Sequence, residues 1–180
     1  MGAKVLVAFA TKHGSTRGIA HAIGGALHAS GCEVKVLPAG LVRSVEGFDA
    51  VVLGSAVYHD HWLWDGRRLL RRIRGQLDGR PTWLFSSGPI GGTLEGEQVI
   101  RTGCGSGTAV PATLVPSLQG FDRLGHATFA GKVDVSAGGM LERDLPRGDW
   151  RDFRQVVCWG REIGRELAPA TQVASRARRA

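Results

Sequence analysis

The residues best suited to chemistry lie between positions 11 and 16, where hydroxyl side chains surround one glycine. This loop has the sequence Thr11-Lys12-His13-Gly14-Ser15-Thr16, and it joins an apolar β-branched run to a helical pattern of apolar residues. The first N–H groups of a helix have no partner within the helix, and the helix dipole adds partial positive charge there. The sequence therefore predicts a phosphate-binding loop with hydroxyl donors from Thr11, Ser15 and Thr16. The alternative is an ordinary strand–turn–helix in which Ser15 only caps the helix.

Two common kinds of phosphate loop do not fit this segment. The P-loop ends in Gly-Lys-Ser/Thr, and no lysine directly precedes Ser15 or Thr16. The dinucleotide-binding fingerprint needs three glycines at fixed spacing, and only Gly14 lies in the turn. The predicted ligand is therefore a phosphate group held by amide and hydroxyl hydrogens.

The elements that must position this loop alternate between strands and helices. Apolar runs predict strands at Val5–Phe9, Val34–Leu37, Ala50–Ser55, Thr82–Ser86 and Ala127–Val133. Helical periodicity predicts helices at Thr16–Ala29, Trp62–Leu77 and Trp150–Leu167, with a weaker one within Pro111–Gly120. This alternation predicts an α/β fold with a doubly wound, five-stranded parallel sheet and helices on both faces. Ligands of such sheets bind at the carboxyl ends of the strands.

Two further loops are expected to share that edge with the phosphate loop and to hold a flat ring. The candidate binding residues are Ser55, Ala56, Val57, Tyr58 and Trp62 after the third strand, and Ser86, Ser87, Gly88, Pro89, Ile90 and Gly91 after the fourth. Tyr58 and Trp62 offer aromatic faces for stacking. His59 and His61 are the nearby groups that could move protons near neutral pH, although an exposed polar loop tip is the simpler interpretation.

Length and composition indicate one globular domain. The chain has 180 residues with 43% hydrophobic content, which we assign to a domain at 1–168 and a basic, flexible tail at 169–180. No apolar run is long enough to span a membrane, and no signal-peptide pattern is present, so we expect a cytoplasmic protein. Three widely separated cysteines predict free thiols and no metal site. The net charge of +7 comes mainly from arginine, but no nucleic-acid-binding signature accompanies it.

The phosphate loop resembles that of the flavodoxin family. The matching positions are Phe9, Thr11, Gly14, Thr16, Ala20 and Ile23. The chain as a whole is similar to the bacterial group containing the menaquinone-dependent protoporphyrinogen dehydrogenases and their actinobacterial flavodoxin-domain relatives. Residues 54–58, 85–91, 129–134 and 148–152 carry this wider likeness. The resemblance implies a flavodoxin-like fold and FMN, with its phosphate at Thr11–Thr16 and its isoalloxazine between the other two loops.

Three departures from family patterns bear on function. Flavodoxins that carry electrons are usually acidic, whereas this chain is basic; its 56–62 loop has no glycine; and the apolar insertion of the dehydrogenase group is missing. The resemblance implies an FMN-dependent oxidoreductase that moves electrons between a redox partner or small-molecule donor and an acceptor, with a quinone or a porphyrinogen as candidates. A flavodoxin-type electron carrier and a non-enzymatic flavin-binding module are the alternatives. A deazaflavin in place of FMN and a peripheral contact with an anionic membrane also stay open.

Overall fold

A computed structural model of the chain describes residues 2–88, 124–133 and 148–168. The strands are β1 (Lys4–Ala10), β2 (Glu33–Pro38), β3 (Ala50–Tyr58), β4 (His61–Trp62), β5 (Thr82–Gly88), β6 (Gly125–Ala130), β7 (Lys132–Val133) and β8 (Gly148–Asp149). The α-helices are α1 (Ser15–Ala29), α2 (Trp64–Ile73) and α3 (Phe153–Leu167), and short 3-10 turns lie at Ala39–Leu41 and Arg74–Gln76.

The main sheet is parallel and has the order β2-β1-β3-β5-β6, with the short strand β4 pairing antiparallel to β3. β2 lies on one side of β1, whereas β3, β5 and β6 follow in turn on the other side, so the direction in which strands are added reverses at β1. This is the doubly wound arrangement that the alternation of strands and helices predicted, and the fold class is confirmed.

Strict alternation along the strands divides the core into two layers. On β1, Val5, Val7 and Phe9 pack with α1 and α3, whereas Leu6 and Ala8 pack with α2. Both sets are almost fully buried. A parallel sheet covered on both faces needs apolar side chains at consecutive positions, and this explains the continuous hydrophobic run that begins the chain.

The structure corrects several predicted element boundaries. The strand predicted at 127–133 is interrupted at Gly131, where β6 ends and β7 turns away to pair with β8. The helix predicted from Trp62 begins at Trp64, because Trp62 belongs to the two-residue strand β4. The helix predicted from Trp150 begins at Phe153, because the Asp152 side chain accepts a hydrogen bond from the Arg154 N–H and so caps the helix. The predicted helix within 111–120 and the tail at 169–180 lie outside the described residues.

The expectation that all the cysteines are free thiols is wrong. Cys158 on α3 is disulfide-bonded, whereas Cys32 is free and buried at the start of β2. Burial raises the pKa of the Cys32 thiol because it disfavours the thiolate, so Cys32 acts as a small apolar side chain. Cys104 lies outside the described residues.

The contact between β3 and β5 provides a test of this packing. Gly54 pairs with Phe85, and a methyl group at position 54 would overlap the buried Phe85 ring. We expect Gly54→Ala to lower the free energy of unfolding by about 1–3 kcal/mol through overpacking. Gly25→Ala is the matched control: position 25 is exposed on α1 with no heavy atom within 4 Å, so alanine should stabilise the helix by about 0.5–1 kcal/mol. Urea unfolding measures both, and equal stabilities would contradict the contact.

Candidate binding site at the carboxyl edge of the sheet

The sheet register brings the three predicted loops to one edge. Ala10, the last residue of β1, pairs with Ser55 on β3, and Ser55 pairs with Ser86 on β5. Thr11 therefore leaves the sheet beside Ala56 and Ser87, which are themselves paired. Residues that are far apart in the sequence are thus neighbours at the position where ligands of such sheets bind.

The loop between β1 and α1 makes its turn at Gly14, which has a φ of 82° and precedes the first helical residue. Glycine adopts this left-handed conformation without the steric cost that a Cβ atom brings. Gly14 offers no side-chain cap, and Ser15 does not cap the helix either, because its Oγ accepts a hydrogen bond from the Lys132 N–H at 2.8 Å. The simpler interpretation of Ser15 as a helix cap is therefore wrong.

The first turn of α1 keeps the features of an anion site. The N–H groups of Ser15, Thr16 and Arg17 precede the first intrahelical hydrogen bond, from the Gly18 N–H to the Gly14 carbonyl, and no side chain of the described residues caps them. The first turn also has no acidic residue that would offset the positive end of the dipole. This helix end is therefore open to an acceptor with negative charge.

Two hydroxyl groups beside this helix end retain a hydrogen to donate. The Thr11 Oγ1 accepts from the Gly14 N–H at 3.0 Å, and the Ser15 Oγ accepts from the Lys132 N–H. A hydroxyl oxygen that accepts a hydrogen bond keeps its own O–H for another partner. Thr11 and Ser15 are both partly exposed, so their O–H groups can point at a bound anion.

The third hydroxyl of the loop ties α1 to the sheet. The Thr16 Oγ1 and Ser87 Oγ lie 2.7 Å apart, so that one hydroxyl donates to the other, and both side chains are buried. Thr16 is thus an anchor between the first turn of α1 and the end of β5. This hydrogen bond fixes the distance between α1 and β5 beside the loop at residues 11–16.

A second buried network lies on the opposite face of the sheet. The Trp62 Nε1–H donates to the Ser86 Oγ at 2.8 Å, and the Ser86 Oγ lies 3.0 Å from the His126 Nε2 on β6. Because an indole nitrogen only donates, Ser86 accepts from Trp62, and the tautomer of His126 sets which group donates in the second bond. Trp62 is 1% exposed and packs in the α2 layer, so its predicted role as a stacking face does not fit. Its ring packs in the core and thereby supports the loop that follows β3.

The loop after β3 is a tight two-residue hairpin. His59 and Asp60 both have positive φ values, of 47° and 60°, as in a type I′ turn, and Tyr58 pairs with His61 across it. The His61 Nδ1 must carry a hydrogen, because it is bonded to the His59 carbonyl, which can only accept. The Tyr58 side chain is partly exposed, with the Lys12 Nζ 5.4 Å from the centre of its ring. An aromatic face therefore lies beside the predicted phosphate loop.

Ser55 holds the far end of this hairpin. Its Oγ donates to the Ala56 carbonyl and accepts from the N–H of Leu63, the residue that precedes α2. The side chain is fully buried, and its hydroxyl hydrogen is already donated to a backbone carbonyl. Ser55 therefore positions the hairpin and the start of α2, and offers no group to a ligand in this arrangement.

The predicted site residues thus fall into three groups. Exposed or partly exposed at the edge are Thr11, Lys12, His13, Gly14, Ser15, Val57, Tyr58, His59, His61 and Gly88. Buried beneath it are Thr16, Ser55, Ala56, Trp62, Ser86 and Ser87. Pro89, Ile90 and Gly91 lie outside the described residues.

The segment after β6 closes the site on a third side. Its residues were not predicted from the sequence as part of the site. The Gly131 N–H donates to the Gly88 carbonyl at 2.7 Å, and the next N–H, of Lys132, reaches Ser15. A Cβ atom at position 131 would lie 2.9 Å from the Gly88 carbonyl oxygen, so only glycine fits there without a shift. The available signal was the isolated glycine inside an apolar run, which marks an interruption of a strand.

An ion pair fixes the outer part of this third side. The Arg151 guanidinium pairs with Asp149 and lies against Gly18 of α1. Its hydrogen bonds hold the pKa of the Asp149 carboxyl below the ordinary value. The segment at 148–151 is therefore held against the first turns of α1.

Comparisons with known proteins decide the family. The sequence profile of the flavodoxin domain matches residues 6–145. The chain belongs to the flavodoxin domain family. This membership confirms, at the level of the family, the expectation of an FMN-type cofactor.

Solved flavodoxin structures agree with this assignment in their fold. A flavodoxin from the domain Archaea superimposes with a TM-score of 0.63 at 16% identity, covering 92% of this chain and 99% of that chain. Flavodoxin 1 from Bacillus cereus gives 0.61 at 20% identity, with the same two coverages. Rubredoxin oxygen:oxidoreductase from Desulfovibrio gigas gives 0.60 at 20% identity, covering 91% of this chain and 36% of that longer chain. No curated protein sequence matches significantly.

Among the helices at residues 2–88, 124–133 and 148–168, none is long and apolar enough to cross a bilayer.

The Trp62–Ser86–His126 network can be tested through stability. Ser86→Ala removes the shared hydroxyl and leaves two buried ring nitrogens without this partner, so we expect a loss of about 1–3 kcal/mol in unfolding free energy. Ser30→Ala is the control, because the Ser30 hydroxyl bonds the Ala26 carbonyl at the exposed end of α1, where water can replace it. That change should cost below about 1 kcal/mol. Similar losses in the two variants, measured by urea unfolding, would argue against a special role for Ser86.

Proposed function

We propose that this flavodoxin domain binds FMN, with the phosphate at the first turn of α1. The observation that carries the proposal is an open helix end flanked by two hydroxyls that keep hydrogens to donate, those of Thr11 and Ser15. A phosphate monoester is a dianion with several acceptor oxygens, and a helix end of this kind supplies both hydrogen bonds and field. Thr16, anchored to Ser87, keeps this donor set in place.

The ring of the cofactor is proposed to lie against the β3–β4 hairpin. Tyr58 is the aromatic side chain with an accessible surface there, and the backbone of residues 56–58 supplies fixed polar groups. Trp62 and Ser55 act indirectly, by holding the hairpin from beneath. When bound, FMN supplies the electron chemistry, and the residues of the chain supply position and electrostatic field.

The reaction is proposed to be electron transfer by an FMN-dependent oxidoreductase in the cytoplasm. A donor and an acceptor exchange electrons through the site, and a quinone or a porphyrinogen are the small-molecule candidates drawn from the sequence resemblance. The exposed His59 and His61 stand where they could exchange protons with such a molecule. The basic charge of the chain supports a donor that carries carboxylates.

An electron carrier without its own substrate is the second candidate. It is favoured by the match over nearly the full length of two flavodoxins, each covered to 99%. A spectroscopic redox titration of the FMN-loaded protein distinguishes the two functions. We expect reduction in a single two-electron step, as suits an enzyme, and turnover with menaquinone analogues or protoporphyrinogen. A persistent one-electron-reduced form without turnover would favour the carrier.

Thr16→Val tests the phosphate site. The change keeps the shape of the side chain but removes the hydroxyl that ties the first turn of α1 to Ser87. The donors of Thr11 and Ser15 then lose their anchor, so we expect FMN binding to weaken by about 1.5–3 kcal/mol, or about 10- to 150-fold in Kd. Quenching of flavin fluorescence on binding measures the affinity.

Thr82→Val is the matched control for that variant. Thr82 is also fully buried and also loses a hydroxyl contact, to the Arg80 carbonyl, but it lies at the opposite end of β5. It should keep the affinity of the unchanged protein. Equal FMN affinities for Thr16→Val and the unchanged protein would contradict the role of Thr16 as the anchor of the phosphate-binding donors. The mass of any ligand that co-purifies separates FMN from a deazaflavin.

A further inference from the structure

The exposed face of α2 and the start of the 3-10 turn that follows it carry a row of arginines that is available for intermolecular contacts. Arg68, Arg71 and Arg74 are spaced three residues apart and are all exposed. No acidic side chain within the described residues forms an ion pair with them. Arg72 differs, because one of its nitrogens donates to the Val42 carbonyl and so holds a neighbouring loop. We call Trp64, Arg68, Arg71 and Arg74 the α2 basic stripe.

The stripe begins with an exposed aromatic ring. Trp64 is 54% exposed, and the guanidinium carbon of Arg68 lies 4.7 Å from the centre of the indole ring. This cation–π contact holds the two side chains together as one surface with an apolar part and a charged part. Tryptophan and arginine are the residues that contribute most often to the binding energy of protein interfaces.

The position of the stripe connects it with the proposed cofactor site. Trp64 is the first residue of α2 and follows β4 after one intervening residue. Only two residues separate it from His61 on the hairpin, so the two lie within about 11 Å of each other along the chain. A partner seated on Trp64 therefore lies next to the edge where the flavin ring is proposed.

We propose that the α2 basic stripe docks an acidic protein that exchanges electrons with the flavin of this chain. The proposal rests on the FMN site proposed above. Arginine pairs with carboxylates through two parallel hydrogen bonds, so a surface rich in aspartate and glutamate complements the stripe in charge and geometry. The partner would supply electrons one at a time from its own reduced metal centre, so two encounters would oxidise two partner molecules and deliver the two electrons that bound FMN takes up.

The burial of α2 argues for a protein partner over a lipid surface. A helix that binds in a membrane interface inserts its apolar face among the lipids. The apolar face of α2, formed by Leu69, Leu70 and Ile73, is buried in the core of this protein. Only the single ring of Trp64 is left for contact, which suits a small interface with a charged rim.

An acidic plant-type [2Fe–2S] ferredoxin is a suitable probe. The FMN-loaded full chain is mixed with reduced ferredoxin in a stopped-flow instrument at low and at high ionic strength. We expect Arg68→Glu/Arg71→Glu to lower the second-order rate about tenfold or more at low ionic strength, and the difference to shrink in high salt. Trp64→Ala should also lower the rate, but with little dependence on salt, because it removes apolar contact.

Arg161→Glu/Arg165→Glu is the matched control. These two arginines are exposed on α3, on the other face of the sheet, and their replacement changes the net charge by the same amount. The control pair should keep a rate within about twofold of the unchanged chain, since local complementarity and not total charge sets the encounter. Equal losses in the two pairs would overturn the proposal.

Two further measurements separate the remaining outcomes. Binding of fluorescently labelled ferredoxin is followed directly, so it does not depend on the flavin. A chain that binds ferredoxin through the stripe but does not bind FMN would refute the FMN proposal alone. A chain that binds FMN but shows no salt-dependent binding of ferredoxin would refute the docking proposal alone. Binding of phosphatidylserine vesicles or duplex DNA that is lost in Arg68→Glu/Arg71→Glu, with ferredoxin unaffected, would also overturn it.

Discussion

The carboxyl end of β5 is the constraint on which the site depends. Ser86 and Ser87 are consecutive, so the pleat of the strand directs their side chains to opposite faces of the sheet. Ser87 meets Thr16 and thereby fixes the first turn of α1, whereas Ser86 meets Trp62 and thereby supports the hairpin after β3. These two consecutive serines thus position α1 on one face of the sheet and the β3–β4 hairpin on the other, at the edge where a ligand would be held. The cost of leaving either buried partner without its hydroxyl makes this arrangement hard to change one residue at a time.

Much of the framework could be predicted because it follows from hydrophobic periodicity. The run at Val5–Phe9 is apolar at every position, which is the pattern of a strand covered on both faces, and the structure places it at the switch point of a parallel sheet. The loop from Thr11 to Thr16 was predictable for a related reason. A glycine between a strand and a helical pattern indicates a turn that leaves the helix end open, and Gly14 has the positive φ that such a turn needs.

Other features could not be predicted because they depend on contacts between distant segments. Trp62 is an aromatic residue in a loop, which suggests a ligand contact, but the strand β4 and the hydroxyl of Ser86 turn its ring into the core. The residues next to His126 in the sequence do not indicate its contact with Ser86, because only the pairing of β5 with β6 brings the two together. The two residues of β4 are too few for any periodicity. The arginines of α2 have the sequence pattern of an ordinary solvated face, and the pattern does not indicate that the Trp64 ring lies against Arg68.

The adjacency of Ser86 and Ser87 restricts how this chain can tolerate insertions. A shift of β5 by a single position would turn each serine to the opposite face of the sheet and put Phe85 or Gly88 in one of the two serine places, so one of the two anchors would be lost. Length changes should therefore be accepted only where the backbone can absorb them before the strand starts, as in the exposed turn at Asp78 and Gly79. Natural variation and successful engineered insertions should concentrate there and avoid the interior of the strand.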